Sequence, residues 1–240
     1  MSAWSSPPGG GYWVGSTPTP SSRNTTSPTE IMHAAIAFLV LTVDIAILQS
    51  GLLGQVQFGG FSPSALVAGL PFGAAAALTG FLLHEMAHKV AAERRGFWAE
   101  FRMSPVGLIL SVITASFGFL FAAPGATVVG GMGSAEDWGR TSLAGPALNL
   151  VEATVFALAG LALGFGPDSL GPAAVFLVLL AFINGWFATF NLLPLGPLDG
   201  RKVLRWSSRI WSVAFVAAAV FTAVLFFIVS VGFPIAVGAP

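Results

Sequence analysis

The sequence predicts an all-α polytopic membrane protein with about five to six transmembrane helices and a small β or re-entrant element. Three observations carry that reading. Hydrophobic residues make up 55% of the chain and charged residues only 8%, against about a quarter charged in an ordinary soluble domain. The mean hydropathy is +0.83. Several apolar runs reach the roughly 20 residues a helix needs to cross a bilayer.

Composition also excludes some functions. Ten basic and ten acidic residues balance, and no basic-aromatic surface pattern points to nucleic acid. Cysteine is absent, so there is no disulfide, no thiolate metal site and no cysteine nucleophile. Any bound zinc must be held by His and carboxylate.

Residues 1–30 are rich in Ser, Pro, Gly and Thr. They cannot bury a core and read as a disordered tail, without the basic stretch and apolar core of a signal peptide. Residues 31–240 form the membrane-embedded domain, with its core at about 65–202. Six apolar segments follow one another, at about Ile31–Leu53, Ser64–Ala92, Val106–Ala122, Trp138–Leu163, Ala173–Leu195 and Ile210–Phe233. The third is marginal as a span, because about 17 residues rise only about 25 Å as a helix. Gly107, Gly118 and Pro124-Gly125 suit an element that enters and returns. Between the second and third segments, Gly96–Arg102 partly alternates apolar and polar residues, as an exposed strand does. Ala126–Val129 is a second strand candidate.

Charge sets the expected orientation. Lys89, Arg94, Arg95 and Arg102 cluster at or beyond the end of the second segment, Arg140 opens the fourth, and Arg201, Lys202, Arg205 and Arg209 follow the fifth. The loops 54–63 and 164–172 carry no Lys or Arg. The positive-inside rule places the N-terminus and the basic ends in the cytoplasm of a multi-pass protein, expected in the cell membrane.

His84-Glu85-Met86-Ala87-His88 lies near the end of the second segment. His-Glu-x-x-His on a helix stacks two imidazoles at i and i+4 on one face, spaced to share one Zn²⁺. Glu85 sits one position round, within reach of a proton on a water polarised by the metal. Catalytic zinc sites commonly use three protein ligands. The best third candidate closes the fifth segment, in Asn191-Leu192-Leu193-Pro194-Leu195-Gly196-Pro197-Leu198-Asp199-Gly200, where prolines break the helix and Asp199 comes out at the membrane end.

With both motifs in order and about 110 residues apart, the chain resembles the site-2 proteases, intramembrane zinc metalloproteases. Ala144-Gly145-Pro146-Ala147-Leu148-Asn149 is similar to the Gly-Pro-x-x-Asn element of an intervening helix in that family. The resemblance covers roughly Ala65 to Lys202, with no recognisable PDZ or CBS module. It implies that His84, His88 and Asp199 bind Zn²⁺ and that Glu85 is the catalytic acid/base. It also implies a transmembrane or membrane-anchored protein as substrate. Asn149 and Asn191 are candidates for stabilising the oxyanion or pinning the substrate backbone, with interhelical hydrogen bonding as the plain alternative. Glu152, three residues after Asn149, is a candidate partner for a zinc-ligating His. Asp44 and Asn184 read as structural. A substrate helix must unwind to expose its carbonyls, and strand addition along Gly96–Arg102 or Ala126–Val129 would hold it.

Two rivals differ in chemistry. A prenyl-protein-processing membrane protease is expected to take its third ligand from a later Glu, and none follows Glu152. A non-proteolytic scaffold or metal-binding protein has no need of Glu85. Oligomeric state is not read from the sequence.

Overall fold

In a computed structural model, which describes residues 26–50, 63–121, 123–164 and 171–232, apolar runs become helices wherever they are long enough to satisfy their own backbone in lipid. The described residues form α1 (Pro28–Ser50), α2 (Pro63–Glu93), β1 (Trp98–Met103), α3 (Pro105–Ser116), β2 (Gly125–Gly130), α4 (Ala135–Ala162), α5 (Pro172–Asn191), α6 (Asp199–Trp206) and α7 (Ser208–Gly232). Five of them (α1, α2, α4, α5 and α7) are long and apolar enough to cross a membrane. The protein is an integral membrane protein. The tail expected over residues 1–30 lies mostly outside the described residues. At its end it needs correction, because Pro28 already begins α1 and Glu30 is buried.

Expectation and structure agree at the third apolar segment. α3 has only 12 residues, or about 18 Å of helix, too short for a hydrocarbon core of about 30 Å. Its start is fixed by Ser104, whose side chain accepts from the Gly107 N–H. Gly107 must be glycine because a Cβ there would lie 1.8 Å from the Ala123 carbonyl oxygen. α3 is fastened to α1 by Ser111, which donates to Asp44 Oδ2 at 2.6 Å. Both groups are fully buried, which gives Asp44 the structural role expected of it.

β1 and β2 pair antiparallel, Phe101 opposite Thr127, so both strands expected from the sequence form one small ribbon. Helix contacts use small residues. A Cβ on Gly73 of α2 would come within 2.3 Å of the Thr42 carbonyl oxygen of α1, so the two backbones nearly touch. Around that contact Leu41, Ile45, Phe72, Phe81 and Phe101 form the main apolar cluster.

α2 is not uniform. Residues Ala77–Leu83 adopt π-helical geometry immediately before the His-Glu-x-x-His stretch, a feature that frequently marks functional sites. After that stretch, Lys89 is buried and forms an ion pair with Glu30 of α1. Glu30 also accepts from the Phe101 N–H of β1 at 3.0 Å. One carboxylate thus ties α1, α2 and the ribbon together.

Removing one partner of a buried ion pair leaves an uncompensated charge, which costs about 3–5 kcal/mol. Glu30→Ala is therefore expected to lower the thermal unfolding midpoint in detergent clearly. The lower end of that range applies, because Glu93 lies 3.7 Å from Lys89 and partly replaces Glu30. An unchanged midpoint would remove this pair from the fold's supports. Topology has its own test in this cysteine-free chain. Single cysteines at Ser104, Ser134 and Ser207 should label from one side of the membrane and one at Gly171 from the other. Labelling of Ser134→Cys from the Gly171 side would mean that α3 crosses.

Candidate metal centre

His84 and His88 leave α2 one turn apart, with their rings edge to face at 4.6 Å between centroids. Hydrogen bonds to their Nδ1 atoms decide their protonation. His88 Nδ1 faces the Thr141 carbonyl oxygen at 2.8 Å, and a carbonyl can only accept, so Nδ1 carries the proton. His84 Nδ1 faces Asn149 Oδ1. The orientation of that amide is fixed by its other end, where Nδ2 donates to the Gly80 carbonyl at 3.1 Å and to Asn184 Oδ1 at 2.9 Å. Asn184 is fixed in turn by donating to Leu180 O and Thr79 Oγ1, each at 3.0 Å. Both histidines therefore turn Nε2 inward, where its lone pair can take a proton or a metal ion.

Those two nitrogens are 3.0 Å apart. Asp199 Oδ2 stands 3.4 Å from His84 Nε2 and 3.0 Å from His88 Nε2. Burial opposes ionisation of Asp199, but the facing histidines and Lys202 outweigh it and hold the carboxyl well below the usual carboxylate range. Three potential ligand atoms thus converge on one point, an arrangement that calls for a shared proton or a metal cation among them. A tetrahedral Zn²⁺ with bonds of about 2.0–2.1 Å spaces its ligands by roughly 3.3–3.4 Å, so this N, N, O set fits one. Gly145 forms the wall behind it. A Cβ there would lie 2.5 Å from His88 Nε2 and 2.6 Å from His84 Nε2.

Asp199 is delivered by the break the prolines produce. After α5 ends, the chain turns through Gly196, which has φ +42°. Gly200 then packs so closely that a Cβ would sit 2.0 Å from the Leu192 carbonyl oxygen. Glu85 points to the ribbon instead. Its Oε2 accepts from the Thr127 N–H at 2.7 Å and the Thr127 hydroxyl at 2.9 Å. A Glu85 carboxylate oxygen and one ring nitrogen of each histidine lie within 4.8 Å of one another.

The structure thus brings His84, Glu85, His88 and Asp199 together, with Asn149 behind His84. Asn149 is committed on every side, to His84, to Thr79 and Gly80 of the π-helical turn, and to Asn184. It takes the supporting place expected of Glu152, which makes no hydrogen bond to either histidine and whose Oε2 is buried without a partner among the described residues. Asn191 donates only to its own helix, at Phe187 O, and lines the cavity over the site. Two residues were missed. Thr127 was read only as strand. The hydroxyl of Thr141, buried in the cavity wall with no hydrogen-bond partner among the described residues, carried no sequence signal, since one threonine in an apolar helix looks like any other.

A protein of Methanocaldococcus jannaschii named "Putative zinc metalloprotease MJ0611" is 40% identical over 138 residues, covering 56% of this chain and 70% of its own length. The chain belongs to that zinc metalloprotease family. The site-2 protease resemblance read from the motifs is borne out. Proteins named "Putative zinc metalloprotease Rip3" from Mycobacterium tuberculosis strains Erdman and H37Rv are 35% identical over 136 residues, or 55% of this chain. The chain spans only 30% of their length. No family model matches the chain, and no solved structure matches it.

If the converging nitrogens and oxygen are a ligand set, Gly145→Ala should be as damaging as losing a ligand, although the substitution adds a single methyl group. Asn149→Ala, which frees the His84 ring, should weaken Zn²⁺ binding by about 10–100-fold. Zinc titration of purified protein reads both, and full affinity in Gly145→Ala would separate the metal from this point.

Proposed function

We propose that the protein is an intramembrane zinc metalloprotease that cuts a peptide bond in or near a transmembrane segment of another protein. The observation that carries this reading is the convergence of His84 Nε2, His88 Nε2 and Asp199 Oδ2 within 3.4 Å of one another, beside the Thr127-bound carboxylate of Glu85 and among helices long and apolar enough to span a membrane. His84, His88 and Asp199 hold the metal. Bound there, Zn²⁺ supplies a Lewis acid that polarises water and the scissile carbonyl.

The rest is done by this chain's own groups. Glu85 takes the proton of the attacking water and returns it to the leaving amine. Thr127 orients that carboxylate through two hydrogen bonds to Oε2, leaving Oε1 to face the reaction. Asn149 and the Thr141 carbonyl keep both Nδ1 atoms protonated, so both Nε2 lone pairs stay available. Asn191 and the unpartnered Thr141 hydroxyl are the donors at hand for a developing oxyanion. The peptide lies along the outer edge of β2 at Val129, beyond the Thr127 N–H that Glu85 occupies, as an added strand that replaces the backbone hydrogen bonds it loses on unwinding.

The prenyl-processing alternative needs a Glu as third ligand. Asp199 occupies that position while Glu152 makes no contact with the histidines, which favours the site-2 mechanism. A binding-only scaffold leaves the two Thr127 bonds to Glu85 without a purpose. Domain limits follow the site, with the working unit taken from the start of α1 at Pro28, so that it includes Glu30, around a core at about 65–202. The basic ends of α2 and α6 support a site on the cytoplasmic side of the cell membrane.

Glu85→Gln is expected to keep its zinc and lose cleavage of a transmembrane substrate by at least about 100-fold. Asp199→Ala should lose zinc as His84→Ala does. Zinc content by elemental analysis and cleavage in proteoliposomes check both. Full activity in well-folded Glu85→Gln protein would overturn the mechanism, and normal zinc in Asp199→Ala the ligand set.

A further inference from the structure

The cavity over the metal centre, about 570 Å³, has two chemically different ends. Its deeper wall is apolar, with Leu41 from the middle of α1 and Phe81 and Phe187 each about one turn before the site on their helices. Its other end is lined by Arg201, Lys202 and Arg205 of α6. Arg201 and Arg205 are one helical turn apart, hence on one face, and both are exposed. α6 is held in that orientation from behind. Trp206 packs so tightly on α4 that a Cβ at Gly139 would lie 2.4 Å from it, and the Arg140 guanidinium sits 5.7 Å over its ring.

Among the described residues, the carboxylates that pair with a cation pair elsewhere. Glu30 and Glu93 pair with Lys89, Glu100 with Arg102, Glu136 with Arg140, and Asp137 lies 3.8 Å from Arg95. Among the described residues, neither Arg201 nor Arg205 has a carboxylate partner. The only acidic side chains in the cavity wall are Glu85 and Asp199, both engaged in the site.

We infer that Arg201 and Arg205 form a charge filter that admits transmembrane segments with an acidic flank and rejects those with a basic one. This rests on the proposed protease activity. A peptide whose apolar part lies against Phe81 and Phe187 must lay its polar flank over these cations. Most membrane proteins carry Lys and Arg at the cytoplasmic end of a span, so a cationic mouth meets them with like charge, a repulsive form of specificity. A segment with Asp or Glu there is attracted instead. The filter thus spares the bulk of membrane proteins while leaving the cleavage chemistry unspecific.

The test uses the full-length zinc-loaded protein in vesicles of neutral lipid. Three substrates share one apolar segment and differ only in a four-residue flank, acidic, neutral or basic. The acidic flank should be cleaved with roughly tenfold higher kcat/KM than the basic one, and the ratio should fall towards one as salt rises. R201E/R205E should invert the order. Because the ratio is taken within one preparation, partial misfolding cannot mimic the inversion. Binding of the same peptides to the Glu85→Gln protein, read by fluorescence anisotropy, supplies a measure independent of cleavage. Equal cleavage of all three flanks overturns the filter while leaving the protease standing. Preferential binding of the acidic flank without cleavage by the native protein overturns the protease but not the filter. Equal binding overturns the filter, whatever the cleavage. Repeating the series with anionic lipid separates the other source of negative charge, and a variant effect that follows the lipid rather than the flank also overturns the proposal.

Discussion

Two imidazole nitrogens 3.0 Å apart, with a carboxylate oxygen 3.0 and 3.4 Å from them, form a buried cluster on which the rest of the structure depends. Taking such ionisable groups out of water is costly unless they share a proton or a metal cation and are hydrogen-bonded from behind. The rest of the bundle reads as the set of restraints that keeps this cluster in place. α2 presents the histidines, α4 fixes both rings from behind through Asn149 and Thr141, and the break after α5 brings in Asp199. Gly145 lets α4 approach until its backbone forms the floor of the site. These contacts join the histidines of α2 to α4 and to the segment that follows α5, so the site and the packing of those helices cannot be varied separately.

Buried polar groups in a bilayer need partners, because hydrocarbon offers none. That explains the chain of amides behind His84. The π-helical turn of α2 offers the Thr79 and Gly80 carbonyls to Asn149. Asn184 closes the chain through Thr79 Oγ1. Three helices share this network, and its last acceptor is the one that sets the His84 tautomer. The same economy appears at Asp44 and Ser111, where one hydrogen bond holds a helix too short to cross the membrane against one that does. Polar side chains here do the fastening that hydrophobic burial does in water, since lipid is no less apolar than leucine.

Much of this was legible in the sequence because it rests on short-range patterns. The spacing of His84 and His88 follows from helical geometry, the prolines before Asp199 announce a break, and span lengths follow from hydropathy. Even the shortness of the helix in the third apolar segment was readable, from its length and from Gly107, Gly118 and Pro124-Gly125. What could not be read is pairing between distant residues of ordinary type. Thr127 reaches Glu85 across 42 positions, and Glu30 reaches Lys89 across 59. Neither has a local signature, and Glu30 looked like part of a polar tail. Asn149 and Glu152 share a helix face, so the sequence alone divided the roles between them incorrectly. Only packing decides which of the two meets His84.

The ribbon shows how such distant pairs shape function. In an antiparallel pair, opposite residues that do not bond each other turn their N–H groups to opposite edges. Phe101 and Thr127 are such a pair. Phe101 gives its N–H to Glu30, and Thr127 gives its N–H to Glu85. The β1 edge is therefore closed by a carboxylate that also carries the Lys89 ion pair, and opening it would strand a buried charge. The β2 edge is engaged by a carboxylate whose proposed task requires it to move protons rather than to hold a strand. Of the two edges, β2 is the one that carries no buried ion pair. Its Val129 lies two residues on, with backbone groups turned the same way as those of Thr127. Val129 lines the cavity shared by the histidines and the arginines, so the β2 edge is the one that faces the candidate chemistry.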